Sequence, residues 1–267
     1  MQEELAAVIA AATAGADVIR AADSDRKVTR SKSSSIDLVT ETDIAAGVAV
    51  WEAIVKRDSQ ARLVIEEEEV YGLASARRGS LDDDEVWCVD PLDGTTSFVH
   101  GFPAYSVSVA LLRRGTPVAG AVVNVPSAEI VAAAAGIGAT RNGAPIQCSA
   151  AGALGESLLI TGFPYDRGAP LDRQLAILGA FLRVPVHGIR RTGSAAIDCT
   201  HVAGGRADGY WEFGLKPWDM AAGVIICEEA GVHVTGINGE PWSVASTGII
   251  AANPSLHKRM TAVILGG

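Results

Sequence analysis

The sequence predicts a layered fold of mixed helices and strands, α+β over residues 1–148 and α/β over residues 149–267, the two halves sharing one core. Three observations carry this. Apolar residues recur at helical spacing twice near the N-terminus, short apolar runs bounded by turn residues follow, and in the second half strand-like and helix-like segments alternate.

Leu5, Val8, Ile9, Ala12, Ala16 and Ile19 fall on one helical face and predict a helix over residues 2–22. The polar, serine-rich DRKVTRSKSSSIDLVT then reads as a mobile loop or hairpin. Ile44, Val48, Trp51 and Val55 predict a second helix after Thr42, with Thr42 or Asp43 at its N-cap. RLVIE, EVWCVD, YSVSVALL, PVAGAVVNV and AEIVAAAA read as strands. RRGTP, NVPSAE and RNGAP supply turn chemistry between them, and Asn142-Gly143 is a hairpin signal, so an antiparallel sheet is expected here. In the second half SLLITG, HGIRRTG, ADGYWEF and GIIAAN read as strands. Leu171 to Leu182, Ser194 to Ala203, Pro217 to Ala230 and Pro254 to Leu265 read as helices, the last two opened by proline.

Composition narrows the function classes. A 48% hydrophobic share over 267 residues supports a globular core. The net charge of −9, with no basic stripe, argues against a nucleic-acid partner. No apolar run approaches the length of a membrane span, and the opening MQEEL lacks the basic start of a targeting segment. Cys88, Cys148, Cys199 and Cys227 are far apart and form no CxxC pair, which fits a reducing compartment; the cytoplasm is the expected location. The five histidines are dispersed and are expected to be structural or exposed.

The chemistry concentrates in WCVDPLDGTTSF, residues 87–98. A strand ending at Asp90, stopped by Pro91, would place Asp90 and Asp93 on a turn. Gly94 permits a tight backbone path there, and Thr95 and Thr96 could open a helix whose N–H groups suit an anion. Oxygen ligands beside phosphate donors select Mg²⁺ or Mn²⁺ rather than zinc. The same residues also read as an Asp-rich turn with a capping threonine. RLVIEEEE delivers Glu66 and Glu67 to the end of a predicted strand, although a four-glutamate run also reads as solvated surface. Asp219 in KPWDMAAG stands near the start of a predicted helix, where a first-turn acid is favoured by the dipole alone.

WCVDPLDGTTSFVHGFP and KPWDMAAGVIICEEAG, in that order, resemble the two signatures of the inositol monophosphatase family of Mg²⁺-dependent, Li⁺-sensitive phosphatases, and the similarity runs from LVTETD to the C-terminal AAN. The resemblance implies a layered αβαβα sandwich and two or three Mg²⁺ ions per site, with Mn²⁺ an alternative and Li⁺ and Ca²⁺ inhibitory. Glu66, Asp90 and the Leu92 carbonyl would hold one metal; Asp90, Asp93 and Asp219 would hold a second, with Glu67 in support. Gly94 and Thr95 would offer N–H groups to the phosphate, and the Thr95 hydroxyl, paired with Asp43, would orient and deprotonate the attacking water. Glu212 would bind substrate hydroxyls in a pocket shared with Gly193, Ser194, Ala195 and Asp219, and Lys32 falls in a mobile metal-loop segment. The substrate implied is a small phosphorylated polyol or sugar, myo-inositol monophosphate first; fructose 1,6-bisphosphate, histidinol phosphate and adenosine 3′,5′-bisphosphate are the alternatives. A homodimer is implied as well. Ile65, Ser97 and Val232 depart from the family pattern without removing a candidate ligand.

Overall fold

The computed structural model describes residues 1–22, 29–31 and 38–266, so Lys32 lies outside the described residues. Helix α1 (Gln2–Ala21) matches its predicted extent. Strands β1 (Thr29–Ser31) and β2 (Leu38–Thr40) form an antiparallel pair that leads into helix α2 (Glu41–Arg57). The cap of α2 is Thr40, not Thr42 or Asp43. The Thr40 hydroxyl accepts the Thr42 and Asp43 N–H groups while the Asp43 side chain returns to Thr40, so Asp43 is the third residue of a capping box.

A seven-stranded sheet follows. Its order is β3 (Leu63–Ile65), β4 (Val86–Asp93), β5 (Ser106–Arg113), β6 (Thr116–Asn124), β7 (Glu129–Ala134), β8 (Gly138–Arg141) and β9 (Ala144–Pro145). It is antiparallel as expected except at β3–β4, which run parallel. Between them sits helix α3 (Glu69–Leu73), one turn too short for a periodic signal, and after β4 comes α4 (Thr95–His100).

Both faces of this sheet are buried, which is why its strands read as apolar runs rather than alternations. Trp87, Val89, Val109, Leu111, Ala121 and Val123 face α1 and α2. Cys88, Ala110, Leu112, Val122 and Ala133 face the other way, into a core shared with α6 (Ala195–Ala203) and α7 (Pro217–Glu229). These two helices separate it from a second sheet, β11 (Gly188–Arg190), β10 (Leu158–Thr161), β12 (Gly209–Phe213), β14 (Gly248–Ala252) and β13 (His233–Thr235), in that order. Helices α5 (Ala169–Arg183) and α8 (Pro254–Leu265) cover its outer face through Phe181, Trp211, Leu256 and Met260. The layers are αβαβα.

Helix α7 approaches the first sheet closely because both surfaces are small. A Cβ on Gly120 of β6 would lie 2.8 Å from Ala222 Cα and 3.0 Å from its carbonyl oxygen, and one on Gly223 would lie 2.6 Å from Cys199 Cβ. The AAG of WDMAAG is therefore a packing surface on two sides, and it seats the first turn of α7, with Asp219, against the strands.

No helix among the described residues is long and apolar enough to cross a membrane. All four cysteines are free thiols. His257, 4% exposed, pairs through Nε2 with Thr235 Oγ1 at 3.0 Å and meets the ring of His233 edge-on. Burial first, then the His233 charge, depress its pKa to about 4. A depressed folded pKa means that the unfolded chain takes up the extra proton as pH falls from about 6.5 to about 4, so His257 removes stability over that window, on the order of 3 kcal/mol. Thermal melts of parent and His257→Gln across it should show the parent losing more; equal losses would refute the assignment.

Candidate active site

Strand β4 does not stop at Asp90. It continues through Pro91 to Asp93 by a bulge: Asp90 pairs with Ser108 and Asp93 with Ser106, so three steps on β4 answer two on β5. In a regular strand residues three apart face opposite ways. The extra residue brings Asp90 and Asp93 to the same face, the one toward α6 and α7. Proline is tolerated because the ladder is already broken there.

Gly94 then turns the chain with φ +92°, and Thr95 starts α4. The Thr95 hydroxyl lies 2.9 Å from Asp43 Oδ1 and 3.1 Å from the Leu92 carbonyl oxygen. Asp43, fully buried, is held on its other oxygen by Thr40. The capping box of α2 thus aims one carboxylate oxygen at Thr95.

One pocket of about 390 Å³ is lined by Glu66, Asp90, Leu92, Asp93, Gly94, Thr95, Gly193, Ala195, Glu212 and Asp219. Asp43 and Ser194 do not line it but bond Thr95 and Asp93, which do, and Glu67 is not among the lining residues. Glu67 is 3% exposed, and Ser194 donates to Asp93 Oδ2 at 2.6 Å while capping α6. Among the described residues no histidine lines the pocket. In the glutamate run, Glu68 and Glu69 are solvated, with Glu68 paired to Arg78, so the surface reading holds for half of it.

The acids crowd one another. Burial, then the charges of Asp93 and Glu66, push the Asp219 pKa well up. Burial raises Asp93 to about 6, with Glu66 adding to it and bonds from Ser194 and Ala196 opposing. Glu212 rises to about 7, chiefly by burial. Burial and mutual repulsion raise these carboxyls more than Arg191, which opposes the shift at Glu212, lowers them, and an all-oxygen donor set suits a hard divalent cation. Among the described residues no three acidic, histidine or cysteine side chains are gathered tightly enough to enclose an ion as they stand.

Several residues at the site were not visible in the sequence. Ser106 Oγ meets Ser194 Oγ at 3.1 Å, and Ser108 Oγ donates to the Trp218 carbonyl at 3.1 Å, so two buried serines of β5 tie the first sheet to α6 and α7. Their alternation in YSVSV was the signal: hydroxyls on a buried strand face need partners. Thr192 donates to buried Asp198 at 2.6 Å and receives the Ser194 N–H, which fixes the loop that holds Asp93. Among the described residues, Arg191 and Lys216 are the cations at the pocket.

The family model described as "Inositol monophosphatase family" matches residues 1–265. The chain is 41% identical over 257 residues to "Phosphatase IMPL1, chloroplastic" of Arabidopsis thaliana, covering 94% of this chain and 67% of that one. It is 41% identical over 228 residues to "Inositol-1-monophosphatase" of a Synechocystis species, covering 85% and 77%. Among solved structures, an inositol monophosphatase from an Anabaena (Nostoc) species superposes with TM-score 0.83 at 36% identity, over 99% of this chain and 96% of that one. A relative from Escherichia coli, 35% identical over 96% of this chain and 93% of its own, is named Nus factor SuhB. With that sequence match over nearly its whole length and that shared architecture, the chain belongs to the inositol monophosphatase family.

Proposed function

We propose that the protein is a Mg²⁺-dependent phosphomonoesterase that hydrolyses myo-inositol monophosphate, or a close polyol phosphate, to the alcohol and inorganic phosphate. The observation that carries this is the gathering of Glu66, Asp90, the Leu92 carbonyl, Asp93 and Asp219 along one pocket that also holds Thr95 and Glu212. Glu66, Asp90 and Leu92 would hold one ion, and Asp90, Asp93 and Asp219 a second. Bound there, divalent cations supply positive charge to the phosphate and make a water easier to deprotonate.

The chain's own residues do the rest. The Thr95 hydroxyl orients the attacking water and passes its proton towards Asp43, whose carboxylate is 2.9 Å away. Gly94 and Thr95, at the first turn of α4, offer N–H groups that have no partner within the helix to the phosphate oxygens. Glu212 accepts hydrogen bonds from substrate hydroxyls and disfavours a second phosphate near it, which ranks a polyol monophosphate ahead of the bisphosphates. A homodimer is part of the same proposal.

Purified protein should release phosphate from myo-inositol 1-phosphate with Mg²⁺, stop with EDTA, and be inhibited by millimolar-order Li⁺. Turnover independent of Mg²⁺ would overturn the reading. The name Nus factor SuhB, carried by relatives, favours a second reading, a cation-binding interaction protein without turnover. It also stands beside the charge-based expectation of no nucleic-acid partner. A substrate panel showing no phosphate release at all would favour that reading.

A further inference from the structure

Glu212 occupies a built seat. A Cβ added to Gly162, just past β10, would fall on the Glu212 carboxyl group itself, which supplies all three of its nearest atoms. The carboxyl therefore lies over the bare Cα of Gly162, in space that any side chain would fill. Gly162 is fixed in turn. Gln174 of α5, fully buried, donates Nε2 to the Gly162 carbonyl at 2.8 Å and to Thr161 Oγ1 at 2.6 Å, and accepts the Trp211 indole N–H at 3.2 Å.

From another side comes Tyr210, two residues before Glu212 on β12 and so on the same face. Its ring is fully buried and its hydroxyl donates to Glu212 Oε2 at 2.6 Å. Oε1 has no hydrogen-bond partner among the described residues, and the residue lines the catalytic pocket. A glutamate side chain is ordinarily free to turn, and fixing it at the moment of binding costs entropy. Here one oxygen is occupied and the carboxyl plane is confined before any substrate arrives.

We propose that Tyr210 and Gly162 are positioning residues that aim Glu212 Oε1 at the hydroxyls of the alcohol being released, and so set the preference of the site for polyol over simple phosphate esters. This rests on the phosphomonoesterase reading. It adds the residues on which the choice of alcohol depends, none of which touches the phosphate.

The test compares the parent and Tyr210→Phe on myo-inositol 1-phosphate, or on whichever polyhydroxylated ester a panel shows to be turned over fastest, and on p-nitrophenyl phosphate, which has no hydroxyls to offer. The ratio of kcat/KM between the polyol ester and p-nitrophenyl phosphate should fall about tenfold in Tyr210→Phe, through KM for the polyol ester, as expected for one hydrogen bond to a charged group. Glu212→Gln should show the same selective loss, and the double variant should be no worse than Glu212→Gln alone. Gly162→Ala should lower the ratio further, since its Cβ displaces the carboxyl. Equal losses on both esters, an unchanged ratio, or losses that multiply in the double variant would each overturn the proposal.

A crystal structure of Tyr210→Phe keeps the two questions apart, because it needs no turnover. The Glu212 carboxyl should be rotated with Asp93 in place, and an unmoved Glu212 would refute the seat whatever the substrate. Failure of the parent to hydrolyse any ester would instead refute the functional reading.

Discussion

Asp93→Asn should lower turnover by about three orders of magnitude while leaving a folded, and in metal-free buffer a more stable, protein. The two effects share one cause. Asp93 is pushed up to about 6 by burial and by Glu66, so at neutral pH its charge is held at a cost of about 1–3 kcal/mol in the absence of a cation. The sign follows from linkage: a raised carboxyl contributes stability below its unfolded value and loses it as pH climbs through about 6. Asparagine removes the charge, and its carbonyl can still accept from Ser194 and Ala196, which lie 2.6 and 2.8 Å from Asp93 Oδ2. A phosphatase assay beside a thermal melt in EDTA reads both quantities. Unchanged activity would remove Asp93 from the metal-holding set, and a collapse in melting temperature would show that its bonds to Ser194 and Ala196 are structural first.

Gly94→Ala should damage both fold and activity. At φ +92° any side chain is strained, and here the added Cβ would stand 2.7 Å from the Ala104 carbonyl oxygen and 3.2 Å from that of Gly193. Both obstacles are backbone, so no rotamer change relieves them. The chain at residue 94 must move, and it carries the Leu92 carbonyl and Asp93 on one side and the Thr95 hydroxyl on the other. A destabilisation of about 2–4 kcal/mol is expected from left-handed strain plus overpacking. Because the reacting groups are displaced together, kcat/KM should fall by more than about a hundredfold even where the protein remains folded. A melt and a kinetic assay at a temperature well below the transition would separate these losses, and near-normal kinetics would show that residue 94 does not set the site's geometry.

Long periodic segments were legible in the sequence because burial imposes their pattern. The predicted helix over residues 2–22 is Gln2–Ala21, and Ser194 to Ala203 differs from α6 only at its capping residue. Two short elements escaped, α3 with five residues and β13 with three, while β3 and β11, also of three residues, fell within longer runs read as strands. The cap of α2 lies two or three residues before the expected Thr42 or Asp43: both threonines of TETD suit the position, and only the acid at the third helical position, Asp43, singles out Thr40. Ten of the candidate site residues were brought to one pocket because the motifs lie at element ends that the layers force together. Gly162 and Gln174 gave no local signal, since their importance lies in which distant side chain rests on them. The Tyr210–Glu212 contact was readable in principle from period two in DGYWEF.

The bulge in β4 also has a meaning for how much change the chain can accept. The same residues threaded as a regular ladder, with no bulge, would gain a backbone pairing with β5 and turn one aspartate to the face occupied by α1 and α2. Such a chain would keep every acidic side chain and gain a more regular sheet, yet its carboxylates would no longer converge on one pocket. The irregular step at Pro91 and Leu92 is thus as necessary to the site as the charges themselves.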